Sequence, residues 1–189
     1  MKFVGMSLAE VAAAVATHLK TRDIEVVVVG GSAITAHVPD VYTSMDIDLA
    51  VTSGINRRKI GRALNELGFT PRGRVFAHPD TKYELDIVAD RPYIDQHPIF
   101  EFAEIETPAG GVRVLHLEDA IADRIAAFVH WSDSESLDVA ERAAAAARDR
   151  LTWEAIDRAL RKVDTRLPES AARMALASER LRRALARNG

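Results

Sequence analysis

The stretch from Ile24 to Gly31 constrains the fold more than any other. Five of the six residues Ile24–Val29 are β-branched, and Gly30 and Gly31 end the run. β-branched side chains are restricted at χ1 and suit a pleated sheet, and apolar residues at successive positions suit a strand covered on both faces. The segment is therefore expected as a strand in the middle of a sheet. Residues 31–38 (GSAITAHV) open a short helix directly from the glycines, and Pro39 stops it, because proline has no N–H to give and disfavours the helical region for the residue before it.

Strands and helices alternate around this unit. Ser7 and Glu10 form a capping box, with Leu8, Val11, Val15 and Leu19 at helical spacing behind it, so residues 7–20 read as a helix. Met45–Val51 and Tyr83–Val88 alternate apolar and acidic residues as strands do, and Ile60, Ala63, Leu64 and Leu67 mark a helix closed by Gly68. Residues 100–106 and 111–115 flank a Pro-Ala-Gly-Gly turn and read as a hairpin on the sheet edge. Helices follow at 117–130, 134–148, 152–163 and 169–187. The expected fold class is α/β (α+β): a small mixed sheet flanked by helices, then a C-terminal helical bundle. No apolar run approaches the ~18 residues of a membrane span, and no charged-then-apolar leader opens the chain, so the cytoplasm is the expected compartment. With no cysteine, any metal must be held by oxygen or imidazole.

Chemistry concentrates in the acidic positions of the two alternating strands. Asp46 and Asp48 lie two apart, so their carboxylates share a face, and Glu84 and Asp86 do the same on the later strand. Neighbouring carboxylates repel unless a cation or donor intervenes, and Mg²⁺ accepts oxygens from both. Upstream, Gly30, Gly31 and Ser32 place backbone N–H groups and a hydroxyl at a helix N-terminus, where a phosphate can be cradled. Either feature alone fits an ordinary solvated strand or an ordinary turn; their combination is more specific.

Gly31-Ser32, then after 13 residues Asp46-Ile-Asp48-Leu, then Glu-Leu-Asp86-Ile, resembles the signature of the DNA polymerase beta-like nucleotidyltransferase superfamily. The chain is similar to its small prokaryotic members, including toxins of toxin–antitoxin and abortive-infection systems. The resemblance implies a nucleotidyltransferase core over residues 1–116 and a helical region over 117–189 packed on it. It implies that Asp46, Asp48 and Asp86 hold two Mg²⁺ ions, with Mn²⁺ as a substitute, and that Gly30, Gly31 and Ser32 receive the triphosphate of an NTP. It also implies a hydroxyl acceptor such as the 3′ end of a transfer RNA, and an antitoxin as a protein partner. Transfer to a protein side chain and a catalytically silent binding module are the competing readings. Glu84 shares Asp86's face and is an alternative ligand.

Toxin-like relatives carry a lysine on the helix after the core; here Arg124 stands at that place. It falls at the margin of the apolar stripe, so it either clamps the triphosphate or forms a structural salt bridge to Asp133 or Asp138. His130 reads as a structural residue at a helix C-terminus, with a general base as the alternative, and Trp131 as core, with a base-stacking platform as the alternative. Residues 1–140 carry 13 basic and 21 acidic residues, a balance of −8, whereas residues 141–189 carry 12 and 7, a balance of +5. Arg158, Arg161, Lys162, Arg173, Arg180, Arg182, Arg183 and Arg187 are the cations by which the tail would hold RNA phosphates.

Overall fold

A computed structural model describes residues 2–54 and 56–186, so Arg187 lies outside the described residues. Helix α1 (Leu8–Lys20) starts at the capping box, where Ser7 Oγ accepts from the Glu10 N–H and Glu10 reaches back to the Ser7 N–H. Strand β1 (Val26–Val28) is buried at all three positions and passes into α2 (Gly30–His37). Then follow β2 (Asp46–Val51), α3 (Arg57–Glu66), β3 (Thr70–Arg72), β4 (Val75–Ala77) and β5 (Glu84–Ala89). A small hairpin, β6 (Tyr93–Ile94) with β7 (His97–Pro98), stands apart as its own two-stranded sheet. Strands β8 (Phe102–Thr107) and β9 (Gly110–Leu115) precede α4 (Leu117–Trp131), α5 (Ser134–Ala146), α6 (Trp153–Leu160) and α7 (Pro168–Ala186).

Seven strands form one mixed sheet in the order β3-β4-β5-β2-β1-β9-β8. β1 runs antiparallel to β2 and parallel to β9, and β2 runs parallel to β5. The β-branched run therefore lies inside the sheet, and the β8–β9 hairpin adds its outer edge, as the sequence implies. The sequence reading passes over β3, β4, β6 and β7. The first two form a hairpin whose connection is Gly73-Arg74, and Gly73 takes φ +66°, a left-handed value that a two-residue turn needs and glycine adopts without strain. Pro71 has no N–H to donate and is tolerated because β3 is the edge strand.

Ile47, Leu49, Leu85 and Ile87 pair across β2 and β5 and are all buried, each stabilising the fold by roughly 1.5–3 kcal/mol. Their burial fixes register, since a slip of one residue would turn the acidic face inward. Helix α4 packs on α2, on β6 and on the three later helices. No helix among the described residues is long and apolar enough to cross a membrane.

Candidate functional site

Parallel pairing sets Asp46 opposite Glu84 and Asp48 opposite Asp86. All four carboxylates thus occupy one face of the sheet, opposite the apolar quartet. Asp46 is exposed, Asp48 and Glu84 are half-buried, and Asp86 is buried. Burial pushes the Asp48 carboxyl up from 3.8 to about 6; the negative charges of Asp86 and Asp46 add to the rise and the Arg124 guanidinium opposes it.

The glycine loop closes on this carboxylate. Gly30 adopts φ +62°, and a Cβ built on it would lie 2.6 Å from Asp48 Oδ2, so only glycine admits such an approach. Val29 is the N-cap of α2 and no side chain caps the helix, leaving its first N–H groups pointed past Gly30 without a side-chain acceptor. The Ser32 hydroxyl is engaged within the fold. It is fully buried, donates to the Val29 carbonyl at 2.7 Å and accepts from the Asp48 N–H at 3.0 Å. The hydroxyl proton is directed to that carbonyl, so the Ser32 side chain ties the start of α2 to β2.

Arg124 reaches the site from α4. Its Nη2 pairs with Asp123 at 2.7 Å, its Nη1 lies 3.5 Å from Ser136 Oγ, and its Nε is buried without a partner. Burial works against the guanidinium charge, but Asp123 and Asp48 outweigh it and raise the pKa. Neither anticipated partner is used: Asp133 caps α5 through the Ser136 N–H, and Asp138 pairs with Arg180 at 2.8 Å. His130 Nε2 lies 2.8 Å from Asp95 Oδ2. Trp131, expected in the core, is 82% exposed, because it is the last residue of α4 and lies past the helices that cover the apolar stripe.

Two cations that the sequence reading missed come from the β3–β4 hairpin. Arg74 lies 2.9 Å from Asp86 and Arg72 pairs with Glu84. Among the described residues no three Asp, Glu or His side chains converge tightly enough to hold one ion. Asp46, Asp48 and Asp86 share a face but do not meet, since Asp86 is turned to Arg74. The donor set nevertheless fits a hard cation: every available group is a carboxylate oxygen, and Asp48 is held where a positive charge would favour its ionised form. Beside Asp48 a cleft of about 310 Å³ is lined by Gly30, Asp123 and Arg124 together with Val88, Arg91, Pro92 and Tyr93. The only sequence hint of the hairpin cations was a glycine flanked by two arginines, Arg72-Gly73-Arg74.

No protein-family model matches the chain, and no curated protein matches it in sequence. Among solved structures the architecture is nucleotidyltransferase-like. The chain is similar to an antigenic nucleotidyltransferase-like protein from Paracoccidioides brasiliensis, with a TM-score of 0.55 at 13% identity over 89% of this chain and 92% of that one. Two structures of the antibiotic-resistance factor ANT(2″)-Ia align more loosely. One, a solution structure, has a TM-score of 0.42 at 18% identity over 93% of this chain and 91% of that one. The other, in complex with adenylyl-2″-tobramycin, has 0.41 at 19% over 89% and 93%. At 13% identity and a TM-score of 0.55, what the chain shares with the first of these is the fold.

Proposed function

We propose that this chain transfers a nucleotidyl group from an NTP to a hydroxyl acceptor, using divalent metal at Asp46, Asp48 and Asp86. The observation that carries the reading is the in-register placement of Asp48 beside Asp86, with the Gly30 backbone pressed against Asp48. A new bond forms between the acceptor oxygen and the α-phosphorus while the α–β phosphoanhydride bond breaks, pyrophosphate leaves, and the acceptor proton passes to a carboxylate or water. Bound Mg²⁺ or Mn²⁺ would polarise the phosphate and offset the charge of the leaving group. The chain's own groups position the reactants. The α2 N-terminus at Gly30 and Gly31 receives phosphate oxygens, and Arg124, with an unsatisfied Nε, supplies a fixed positive charge to the triphosphate.

The test is incubation with each radiolabelled NTP, Mg²⁺ and either total RNA or lysate, reading which macromolecule acquires label. No transfer with any NTP would overturn the reading. Arg124→Ala should weaken NTP binding, with Arg124→Lys milder because a charge remains although the planar fork is lost. Earlier melting of both variants with unchanged NTP affinity would make Arg124 a structural residue.

The finer reading, an RNA acceptor such as a transfer RNA 3′ end within a toxin–antitoxin pair, rests on the sequence resemblance and on the basic tail. Five tail cations are held by acidic partners: Arg161 by Asp157, Lys162 by Asp119, Arg166 by Asp164, Arg180 by Asp138 and Glu141, and Arg183 by Glu179. Arg182 lies over the Trp153 ring at 3.9 Å. This pairing removes much of the basic surface that the RNA reading invokes, so the acceptor is tested separately from the transfer itself.

A further inference from the structure

Beyond the carboxylates, the cleft changes character. Its lining also includes Val88, Arg91, Pro92 and Tyr93. Val88 is 47% exposed and Tyr93 44% exposed, and both line this cleft. Tyr93 belongs to β6, whose partner strand β7 and whose packing on α4 hold it beside the helix that carries Asp123 and Arg124. The Arg91 guanidinium lies 5.3 Å from the Phe100 ring centre. The cleft lining thus combines Gly30 and Arg124 with the apolar and aromatic Val88, Pro92 and Tyr93 within about 310 Å³. That size is near the lower limit of small-ligand pockets and suits a single nucleoside better than a polymer.

We infer that Tyr93 is the platform on which the base of the incoming nucleotide stacks, with Val88 beside the sugar. The inference rests on the nucleotidyl-transfer reading and says which part of the cleft lining receives the nucleoside. An aromatic face offers every base a π surface, and loss of one such stack costs roughly 1–3 kcal/mol, about 5- to 150-fold in affinity.

The experiment measures binding of a non-hydrolysable NTP and of inorganic tripolyphosphate, each with Mg²⁺, to wild type, Tyr93→Ala, Tyr93→Phe and Tyr93→Trp. Tyr93→Ala should weaken the nucleotide about 5- to 150-fold and leave tripolyphosphate within about twofold of wild type. The Phe and Trp variants should hold the nucleotide near wild-type affinity, because the ring face and not the hydroxyl is used. Three results overturn the inference: unchanged nucleotide affinity in Tyr93→Ala, equal weakening of nucleotide and tripolyphosphate, or an effect confined to the acceptor's KM. If wild type binds neither ligand, the nucleotidyl-transfer reading itself fails and the platform falls with it; if wild type binds both and only the Tyr93 expectation fails, that reading stands.

Discussion

Asp48 shows how a single residue records conflicting demands. Its alternation with Ile47 and Leu49 was legible in the sequence, because acidic residues at every second position of a half-buried strand must share its open face. What the sequence could not supply was its neighbour across the sheet, since the pairing of β2 with β5 depends on the whole topology. The fold holds the Asp48 carboxyl at about 6, above its usual 3.8, first through burial. An acid raised in the folded state favours folding when protonated. That contribution is fully present below about pH 3.8 and is lost as pH rises through about 6. At pH 7.5 in EDTA the ionised group should therefore cost up to about 3 kcal/mol. Asp48→Asn should be more stable than wild type by a substantial part of that at pH 7.5 and nearly equal to it at pH 4, as read by urea denaturation. Added Mg²⁺ should then stabilise wild type but not Asp48→Asn. An Asn effect of the same size at both pH values would mean that charge at Asp48 is not what the site strains against. Ser32 was legible only as a residue: its position was anticipated, but the destination of its proton depends on a carbonyl of its own chain, Val29, at 2.7 Å.

Elements with a covered apolar face were readable and those without one were not. α1, β1, β2, β5 and α4 each bury most of their apolar residues, so a continuous or periodic apolar pattern survives in the sequence. The β3–β4 hairpin has no such period, with Thr70, Pro71 and Arg72 exposed and Val75, Phe76 and Ala77 half-buried. It is nonetheless the element that sets the state of the acidic face. β4 pairs with β5 so that Val75 stands opposite Asp86, and the adjoining turn lays Arg74 on that carboxylate. Any divalent cation that uses Asp86 must compete with this guanidinium. Arg74 is 84% exposed at its side chain, so the pair is a weak one in water, of roughly 0.2–1 kcal/mol. Arg74→Gln should tighten Mn²⁺ binding about two- to fivefold by direct titration, with no loss of fold. Arg72→Gln should have the smaller effect, because its partner is Glu84. The reverse order would make Glu84 the metal ligand in place of Asp86, and no change in either variant would remove both from the cation site.

At the scale of the whole molecule the charge asymmetry was readable but its meaning was not. Counting +5 over residues 141–189 treats every cation as free, whereas folding brings α7 against α5 and neutralises part of the excess there. Arg180 is the clearest case, since its guanidinium serves Asp138 and Glu141 at once and cannot also neutralise a phosphate without leaving them. Among the described residues of 141–189, Arg142, Arg148, Arg150, Arg158 and Arg182 are exposed and form no salt bridge to an acid, and of these Arg148 and Arg158 also make no hydrogen bond or ring contact. If the acceptor is an RNA held by its backbone, these two are the cations that should matter. Transfer to RNA should fall as salt rises from about 50 to 200 mM, with a log–log slope of about −0.7 for each phosphate neutralised on a single strand. Arg148→Glu with Arg158→Glu should flatten that slope by about 1.4 and weaken acceptor use, while leaving NTP binding within about twofold. Arg180→Gln should instead lower thermal stability with little change in slope, because it removes an internal pair and no external contact. Label on protein in place of RNA, or transfer insensitive both to salt and to the double reversal, would end the RNA reading and point to an acceptor hydroxyl on a protein or a small molecule.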